Sequence, residues 1–412
     1  MKTFIFADRS DTGLEPLTRN TCAALLPVAG KAVIEYTIED LARAGIKQAV
    51  IVVSAHADRV ETQLGKGERW GMHFEYFPSR GGEHPASLLR RYASVINEPL
   101  LLVRGDVLRS SIAGFIGESA CEGGPLVEAR VGGAPAGVCH CRAGIAALAG
   151  LDWPYTLTPG TARPAVSIDL PDATWSALDS LTAYHRTSLD IAAERYTGLK
   201  LAGWGRDSGL TLGRGSHVET HSLTGDHAFI GRGSRVHPGA RLAGTSVVND
   251  SCFIDSQASI TDSVILPGTY VGENIEIRNA IVNGNQVIRV DSGVSYRVAD
   301  RFLLTQMQRK GASLPARLAN RTAGLLLLLL SLPLWPLAAT GAMLKSPSAP
   351  LRRLRLRSNK YSADEIQETL RAEFTGREWA VNAHVLSLLP QLLAVNTGHI
   401  NLVRSLPRPF EP

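Results

Sequence analysis

The 412-residue sequence has few of the features that mark secreted, disulfide-bonded or zinc-binding proteins. Its five cysteines are an odd number without a disulfide-like spacing. Charges occupy Met1 to Ser10, where a signal peptide needs an apolar core. Cys139-His140-Cys141 has no second ligand pair at a zinc-like spacing, so we interpret these thiols as ordinary free cysteines. These absences predict that the soluble part of the chain lies in the cytoplasm.

Aromatic residues are also scarce, at 6%, and none are interleaved with the basic residues that cluster late in the chain. Nucleic acid is therefore the weaker interpretation of the net charge of +5, because base stacking needs aromatic side chains. An anionic membrane surface is the stronger one. The length and the 44% apolar content predict two to three domains.

A six-residue apolar period dominates the middle of the chain, from about Leu212 to Val294. Neither an α-helix nor an ordinary strand has this period. It predicts a left-handed parallel β-helix of hexapeptide repeats, with about three short strands in each coil. Nine of the first ten positions are aliphatic, and the period resumes after each of two one-residue slips: Leu212, Val218, Thr224, Ile230, Val236, Leu242, Val248, Ile254, Ile260 and Leu266, then Val271 and Ile277, then Val282, Ile288 and Val294.

The histidines of the repeat leave a second interpretation open. Such coils commonly trimerise or act as rigid spacers, and in some transferases they hold an acyl-transfer site with a histidine base. The candidates lie in no recognisable acyltransferase context, so we expect them to face solvent. They are His217, His221, His227 and His237.

The N-terminal region is expected to be α/β. Val50 to Ser54 and Leu100 to Val103 are apolar runs of strand length, and Val33 to Ala44 has helical periodicity with Gly45 as a stop. This alternation of strands and a helix predicts a parallel sheet.

Within this region, the stretch Thr12 to Val53 resembles the N-terminal signature of the sugar-1-phosphate nucleotidyltransferases, which make NDP-sugars. Many members of that family carry a hexapeptide β-helix after the catalytic domain, in the order seen here. The resemblance implies a Rossmann-like nucleotidyltransferase domain over residues 1–200, followed by the β-helix over 205–298.

The phosphate-binding groups of that family are missing. The family's glycine-rich loop lets backbone N–H groups approach a triphosphate, but here it reads Ala7-Asp8-Arg9-Ser10-Asp11 and has no glycine. The resemblance places the family's phosphate-directed arginine at Gly13 and its lysine at Ala23. Without these cations we expect weaker stabilisation of the transition state.

The family binds Mg²⁺ through two aspartates, and one of them has a counterpart here. Asp106 matches the first, whereas Ala177 stands at the second. Asp106 is therefore the candidate ligand for metal and nucleotide, and Lys31 is a further candidate for nucleotide. The alternative is that both residues are structural. Mg²⁺ is the cofactor expected if the site is active.

The segment Ala323 to Leu344 has no charged residue and includes six consecutive leucines, enough to enter a bilayer. Basic residues flank both sides, which argues for a re-entrant segment with Pro333 and Pro336 as the break. The basic residues would contact anionic lipid headgroups. A buried helix of a soluble domain is the alternative.

The C-terminal segments Asn320 to Pro350 and Leu386 to Pro409 resemble the monotopic phosphoglycosyl transferases, which transfer a sugar phosphate to polyprenol phosphate. The resemblance places that family's Asp-Glu catalytic dyad at Ser387 and Leu388. Neither residue can replace a metal-binding carboxylate. Residues 299–412 are therefore expected to be an anchor and interaction module with a truncated transferase-like sequence.

Together these patterns favour a non-catalytic scaffold or regulator of bacterial exopolysaccharide or cell-envelope polysaccharide synthesis, at the cytoplasmic face of the inner membrane. Its expected partners are membrane lipids, other exopolysaccharide-assembly proteins, a sugar nucleotide and further copies of itself in a homotrimer, but no nucleic acid. The alternative is an active NDP-sugar pyrophosphorylase.

Overall fold

The computed structural model describes residues 1–9, 13–92, 98–121, 124–151, 153–154, 166–170, 173–206, 209–219 and 222–307, and beyond these 322, 325–327, 329–331, 333, 336, 351–354 and 371–374. The chain divides into two compact units, Met1–Gln308 and Arg309–Pro412. The first unit contains an α/β part and a β-helix. The predicted boundaries near residues 200 and 298 stay predictions.

Sixteen regular elements build the α/β part within the described residues. Three short 3-10 helices, at Ala23–Leu25, Glu68–Trp70 and Ile145–Gly150, accompany them. In chain order the elements are β1 (Lys2–Ala7), β2 (Pro27–Val28), β3 (Lys31–Ala32), α1 (Val33–Arg43), β4 (Gln48–Val53), α2 (Ala57–Leu64), β5 (His73–Pro78), α3 (Pro85–Tyr92), β6 (Leu100–Arg104), β7 (Leu108–Arg109), α4 (Ala113–Cys121), β8 (Leu126–Val131), β9 (Ala134–Cys141), β10 (Val166–Asp169), β11 (Trp175–Ser176) and α5 (Leu181–Ala192).

Seven of these strands form one mixed sheet in the order β10-β8-β9-β6-β1-β4-β5. Strands β6, β1, β4 and β5 are parallel, as predicted. The prediction of a parallel sheet is wrong for β9, which runs antiparallel to both β6 and β8. Gly132 and Gly133 explain the difference, because their positive φ angles make a two-residue turn that joins β8 to β9 as a hairpin.

The parallel strands are apolar on both faces. Along β1, Phe4 and Phe6 face one core and Ile5 faces the other, and all three are fully buried. Such strands are buried because helices cover both sides of the sheet. The chain proceeds from β1 to β4 and β5 on one side and then to β6 on the other. The carboxyl ends of β1 and β6 therefore flank the switch in strand order, where sheets of this kind bind ligands.

The second part of the unit is a parallel β-helix, which confirms the main prediction from the six-residue period. Its left-handed sense stays a prediction. Its strands are β12 (Trp204–Arg206), β13 (Leu210–Leu212), β14 (His227–Ile230), β15 (Arg235–Val236), β16 (Arg241–Ala243), β17 (Thr245–Val248), β18 (Phe253–Ile254), β19 (Ser259–Thr261), β20 (Val264–Ile265), β21 (Thr269–Val271), β22 (Glu276–Arg278), β23 (Ala280–Asn283), β24 (Gln286–Arg289), β25 (Ser295–Arg297) and β26 (Leu304–Gln306).

Three stacks of parallel strands form the sides of the β-helix: β13-β14-β17-β20-β23, β15-β18-β21 and β16-β19-β22. Early coils are 18 residues long, since Val248 pairs with Ile230, and later ones are 17, since Ile265 pairs with Val248. The predicted one-residue slip is therefore real, but it falls before Ile265 rather than after Leu266. The aliphatic side chains that point inward form one buried cluster.

The parallel coil ends earlier than predicted. After β23 the chain reverses through Gly284, whose φ is +60°, and β24 pairs antiparallel with β23. The assignment of Ile288 and Val294 to a further coil is therefore wrong, and Val294 is 53% exposed. The Gly284-Asn285 dipeptide, which lies between the paired residues Asn283 and Gln286, is the local signal for this hairpin, because the first residue of its turn must accept positive φ.

The α/β part packs along one side of the β-helix. Phe229, Val247, Val264 and Ile281 point outward from successive coils of one stack and are fully buried. They form a cluster with residues of the α/β part that include Tyr184 of α5. Hydrogen bonds reinforce this interdomain seam: the Gly30 N–H donates to Asn249 Oδ1 (3.1 Å), and His185 Nε2 donates to the Asp262 carbonyl (2.8 Å).

In the second unit the structure describes helical residues between 322 and 336, and strands β27 (Leu351–Leu354) and β28 (Arg371–Phe374), which pair antiparallel. Most of the predicted re-entrant segment 323–344 lies outside the described residues. Among the helices that are described, none has the length and apolarity needed to cross a bilayer.

Candidate functional site

Two aspartates and an arginine meet at the carboxyl ends of β1 and β6. Asp8 directly follows β1, Arg104 is the last residue of β6, and Asp106 lies two residues further on. Because β1 and β6 are parallel neighbours, their ends lie side by side at the edge where this sheet type binds ligands. Asp106 therefore lies just beyond the end of β6, and its role as a metal or nucleotide ligand stays a prediction.

Arg104 binds both aspartates through its guanidinium. Its Nε donates to Asp106 Oδ1 (2.9 Å) and its Nη2 to Asp106 Oδ2, which makes a bidentate pair. Its Nη1 lies 3.4 Å from Asp8 Oδ1 and 3.3 Å from the Pro154 carbonyl. Asp8 and Arg104 are fully buried and Asp106 is 1% exposed. The three side chains therefore form a closed ionic cluster inside the protein.

Neighbouring groups hold this cluster in place. The Ser79 hydroxyl donates to Asp8 Oδ2 (2.6 Å), and Arg109 Nη1 donates to the Arg104 carbonyl (2.9 Å). Gly137 makes room for the arginine side chain, since a Cβ at this position would lie 2.7 Å from Arg104 Cγ. These contacts come from β7, from β9 and from the residue after β5, so several strands and strand ends hold the cluster.

The two carboxyl groups respond differently to burial. Burial raises the pKa of Asp8, and the opposing effects of Arg104 and Ser79 do not cancel it. Burial also acts to raise the pKa of Asp106, but the charge and hydrogen bonds of Arg104, with the charge of Arg9, outweigh it and the pKa falls below its usual value. Asp106 is accordingly the ionised partner of Arg104 at neutral pH.

Arg9 occupies the loop where the resemblance expects glycines. Its Nη1 donates to the Ala177 carbonyl and its Nη2 to the Leu178 carbonyl, each at 2.6 Å. Ala177, where the resemblance places the second metal ligand, thus supplies a backbone oxygen to an arginine. Gly13 lies in the same region, and a Cβ there would meet the Asp179 carbonyl oxygen at 2.0 Å. An arginine side chain at position 13 would not fit this backbone.

Lys31 has its contacts within the α/β part, whereas Ala23 lies in the cluster at the interdomain seam. The Lys31 ammonium lies 2.7 Å from Glu39 Oε2 and 2.8 Å from the Lys200 carbonyl. Ala23 is buried in the apolar cluster that joins the two parts of the unit. The structural interpretation of Lys31 therefore has direct contacts to support it, whereas its role in nucleotide binding stays a prediction.

His217 and His227, two of the remaining predicted positions, lie in the β-helix. Ser387 and Leu388 lie outside the described residues, as does His221. His217 pairs with Arg235 on one side of the β-helix, whereas His227 begins β14 on another side. These two histidines therefore do not share a site.

The cluster does not suit Mg²⁺. In proteins this ion keeps several waters and needs near-octahedral oxygen ligands, which requires space around the carboxylate. Here both oxygens of Asp106 face a guanidinium in a buried environment, and Ala177 supplies no carboxylate. Among the residues that the structure describes, no group of three or more His, Cys, Asp or Glu side chains is arranged to hold a metal.

Arg104 is the important residue that sequence reasoning missed. It ends the otherwise apolar run Leu100 to Val103 and directly precedes Gly105. A charged residue at the end of a buried strand was the available signal, but such a residue usually reaches solvent. Its two partners could not be inferred from the run alone, because Asp8 is distant in sequence.

Comparison with known proteins agrees with this architecture. Residues 3–111 match the nucleotidyl transferase family, and residues 216–301 match the GlmU-like C-terminal hexapeptide family. A glucose-1-phosphate thymidylyltransferase of Xanthomonas campestris pv. campestris is 36% identical over 108 residues, which are 26% of this chain and 36% of that protein. The N-acetylmuramate alpha-1-phosphate uridylyltransferase of Neisseria meningitidis is 33% identical over 110 residues, 26% of this chain and 48% of that protein.

The low-salt glycan biosynthesis nucleotidyltransferase Agl11 of Haloferax volcanii is 37% identical over 78 residues, 18% of this chain and 22% of that protein. The chain thus spans less than half the length of each of these three relatives. The resemblance to phosphoglycosyl transferases has no counterpart among these matches. The chain contains a nucleotidyl transferase domain and a GlmU-like hexapeptide region, and sugar-1-phosphate nucleotidyltransferases are among its homologues.

Proposed function

We propose that this chain is a non-catalytic, sugar-nucleotidyltransferase-like scaffold or regulator of bacterial exopolysaccharide or cell-envelope polysaccharide synthesis. The observation that carries the proposal is the bidentate pairing of Asp106 with Arg104. Asp106 is the one family metal ligand retained in the sequence, and both its oxygens are bound to a cation of the protein itself. A carboxylate held in this way is not available to organise Mg²⁺ and a triphosphate.

Charge supports the same conclusion. Nucleotidyl transfer builds negative charge on phosphates, which cations and backbone N–H groups must stabilise. Here Gly13 and Ala23 stand where the family has cations, and Asp8 places a carboxyl group at the end of β1. Two absent cations and one absent metal ligand, at a few kcal/mol each, would together cost on the order of 10 kcal/mol of transition-state stabilisation.

The setting in polysaccharide synthesis is supported by the relatives: two of them by their names act on sugar phosphates, and the third by its name takes part in glycan biosynthesis. The protein would bind a sugar nucleotide or other assembly proteins without turning the nucleotide over. The hexapeptide region would serve as a platform for the α/β part and would form the contacts of a homotrimer.

Membrane attachment is the second element of the proposal. It is supported by the uncharged sequence Ala323 to Leu344 and by the basic residues on both of its flanks. In this proposal the chain is held at the cytoplasmic face of the inner membrane. The phosphoglycosyl transferase-like C-terminal sequence would act as an anchor and interaction module, since Ser387 and Leu388 replace the acidic dyad.

The direct test is pyrophosphate release by the purified full-length protein with Mg²⁺, a set of nucleoside triphosphates and a set of sugar 1-phosphates. We expect no release above that of an Asp106→Ala control, with a thymidylyltransferase as the positive control. The retained Asp106 favours the alternative of an active NDP-sugar pyrophosphorylase, and release abolished by Asp106→Ala would establish it. Binding of sugar nucleotides, measured by calorimetry on the same samples, would separate a regulator from a pure scaffold.

Attachment and partners need separate experiments. We expect the full-length protein to float with vesicles containing anionic lipids and to lose this binding when the residues after Gln308 are removed. A chain that stays unbound to such vesicles would contradict membrane attachment without affecting the catalytic conclusion. Pull-down from detergent-solubilised membranes should recover polysaccharide-assembly proteins, and light scattering of the purified protein would test for a trimer.

A further inference from the structure

We propose that Arg104 is a built-in cation that takes over the charge-compensating role of a divalent metal ion between Asp8 and Asp106. This inference deepens the proposed function, because it supplies the physical reason for the closed site. The chain would then be locked in a metal-independent state by a residue of its own strand β6.

The geometry supports this substitution of a side chain for a metal ion. One guanidinium touches both aspartates, which come from neighbouring strand ends, and it uses three different nitrogens to do so. Nε and Nη2 bind Asp106 and Nη1 faces Asp8. A bridging cation between two carboxylates is the arrangement that a metal ion would otherwise provide.

Burial favours a cation between the two aspartates. Asp8 and Asp106 are both inaccessible to bulk solvent, and a buried carboxylate without a partner is strongly destabilising. If Arg104 is removed, the two carboxyl groups must take up protons or another cation. The Arg9 guanidinium is committed to the carbonyls of Ala177 and Leu178, so it cannot move into the space without breaking those bonds.

The neighbouring residues keep the arginine in this place. Arg109 donates to the Arg104 carbonyl, and Gly137 leaves the space that the arginine stem occupies. An apolar residue at position 104 would continue the apolar run of β6 and would leave both aspartates facing an unfilled space. Arg104→Leu is therefore the substitution that should convert the cluster into a site for a divalent cation.

The experiment uses the full-length protein and Mn²⁺ as the probe, with bound ion measured by electron paramagnetic resonance and stability by thermal unfolding with and without Mn²⁺. We expect the parent protein to bind no Mn²⁺ at this cluster. Its thermal unfolding midpoint should be the same with and without Mn²⁺. In the presence of a chelator, Arg104→Leu should unfold at a lower temperature than the parent protein. It should bind one Mn²⁺ per chain, and the bound ion should raise its unfolding temperature. Arg104→Lys keeps a cation and should bind none, and Arg104→Leu combined with Asp106→Asn should lose the binding.

Two outcomes would overturn the inference. One is Mn²⁺ binding by the parent protein that is lost in Asp106→Asn, because Asp106 would then be an open ligand. The other is an Arg104→Leu protein that does not bind Mn²⁺, or that fails to fold with and without it, because a metal could then not replace the arginine. Pyrophosphate release by a parent protein that binds no Mn²⁺ at Asp106 would instead contradict the proposed function and leave this inference standing.

Discussion

Phe229 of the β-helix lies directly against Gly30 of the α/β part, so closely that a Cβ at Gly30 would approach the ring at 2.8 Å. Gly30 has a φ of +81°, which suits glycine, and its N–H also donates to Asn249 in the β-helix. The turn at Gly30, before β3, therefore leaves the space that the Phe229 ring of the β-helix occupies.

The Phe229→Ala substitution should therefore destabilise the whole first unit. The ring is fully buried at the interdomain seam, and a large-to-small change at such a position costs about 3–5 kcal/mol. Urea unfolding of the full chain would measure the loss. Phe253→Ala is the matched control, since Phe253 is only partly buried and stacks on Tyr270 on another side of the β-helix. A loss there of about 1 kcal/mol is expected. Equal losses of unfolding free energy for the two variants would show that packing at the seam does not stabilise the α/β part and the β-helix together.

Glycines in the β-helix should differ in how well they tolerate alanine. Gly244 and Gly293 both have positive φ, +58° and +67°, so either substitution carries a backbone strain of about 1 kcal/mol. A Cβ at Gly244 would also lie 2.2 Å from Asp262 Oδ1, which accepts a hydrogen bond from the Thr245 N–H. A Cβ at Gly293 would meet no atom within 4 Å.

Gly244→Ala should accordingly lower the free energy of unfolding by about 1 kcal/mol more than Gly293→Ala, because the partly buried hydrogen bond from the Thr245 N–H to Asp262 must break. Urea denaturation of both variants measures the difference. The slope of the unfolding free energy against urea concentration should be the same for both. Similar losses at the two positions would mean that the Asp262 carboxylate moves away without cost.

Stability should fall in mild acid because of His185. Burial lowers the pKa of His185, and the bond from its Nε2 to the Asp262 carbonyl only partly opposes this. Because the folded-state pKa lies below the unfolded value of about 6.5, protonation favours unfolding. The contribution of neutral His185 to the free energy of unfolding is fully present above the unfolded-state pKa. It is lost as the pH falls from that value towards the folded-state pKa.

Thermal midpoints at neutral pH and in mild acid would show this effect. Between neutral pH and mild acid, the thermal midpoint of His185→Gln should fall by less than that of the parent protein. His73→Gln, at an exposed strand start, should behave like the parent in this comparison. An unchanged pH dependence in His185→Gln would contradict the assignment to this residue.

Much of the β-helix could be predicted from the sequence, because each coil repeats the same local requirement for one inward aliphatic residue per side. Its attachment to the α/β part was not predicted. The signal lies one residue before the inward positions, at Phe229, Val247, Val264 and Ile281, where a second apolar residue recurs once per coil. The six-residue period alone does not indicate that the α/β part packs along the side of the coil.

The candidate site was only half visible in the sequence. The resemblance singled out Asp106, and its place after the apolar run Leu100 to Val103 put it near the end of a strand. The bond from Arg104 could not be read in this way, because the partnership with Asp8 depends on how β1 and β6 lie side by side. Local patterns predict elements and strand ends well, but they do not reveal which charges meet when the strands assemble.

The most direct test of the central claim is exchange of labelled pyrophosphate into nucleoside triphosphate, with a mixture of NDP-sugars, Mg²⁺ and the full-length protein. This reverse reaction detects nucleotidyl transfer for any sugar and base present in the mixture. Because Arg104 holds Asp106, we predict no labelled triphosphate above the level of the Asp106→Ala variant. Labelled triphosphate that forms with the parent protein and disappears with Asp106→Ala would contradict the account.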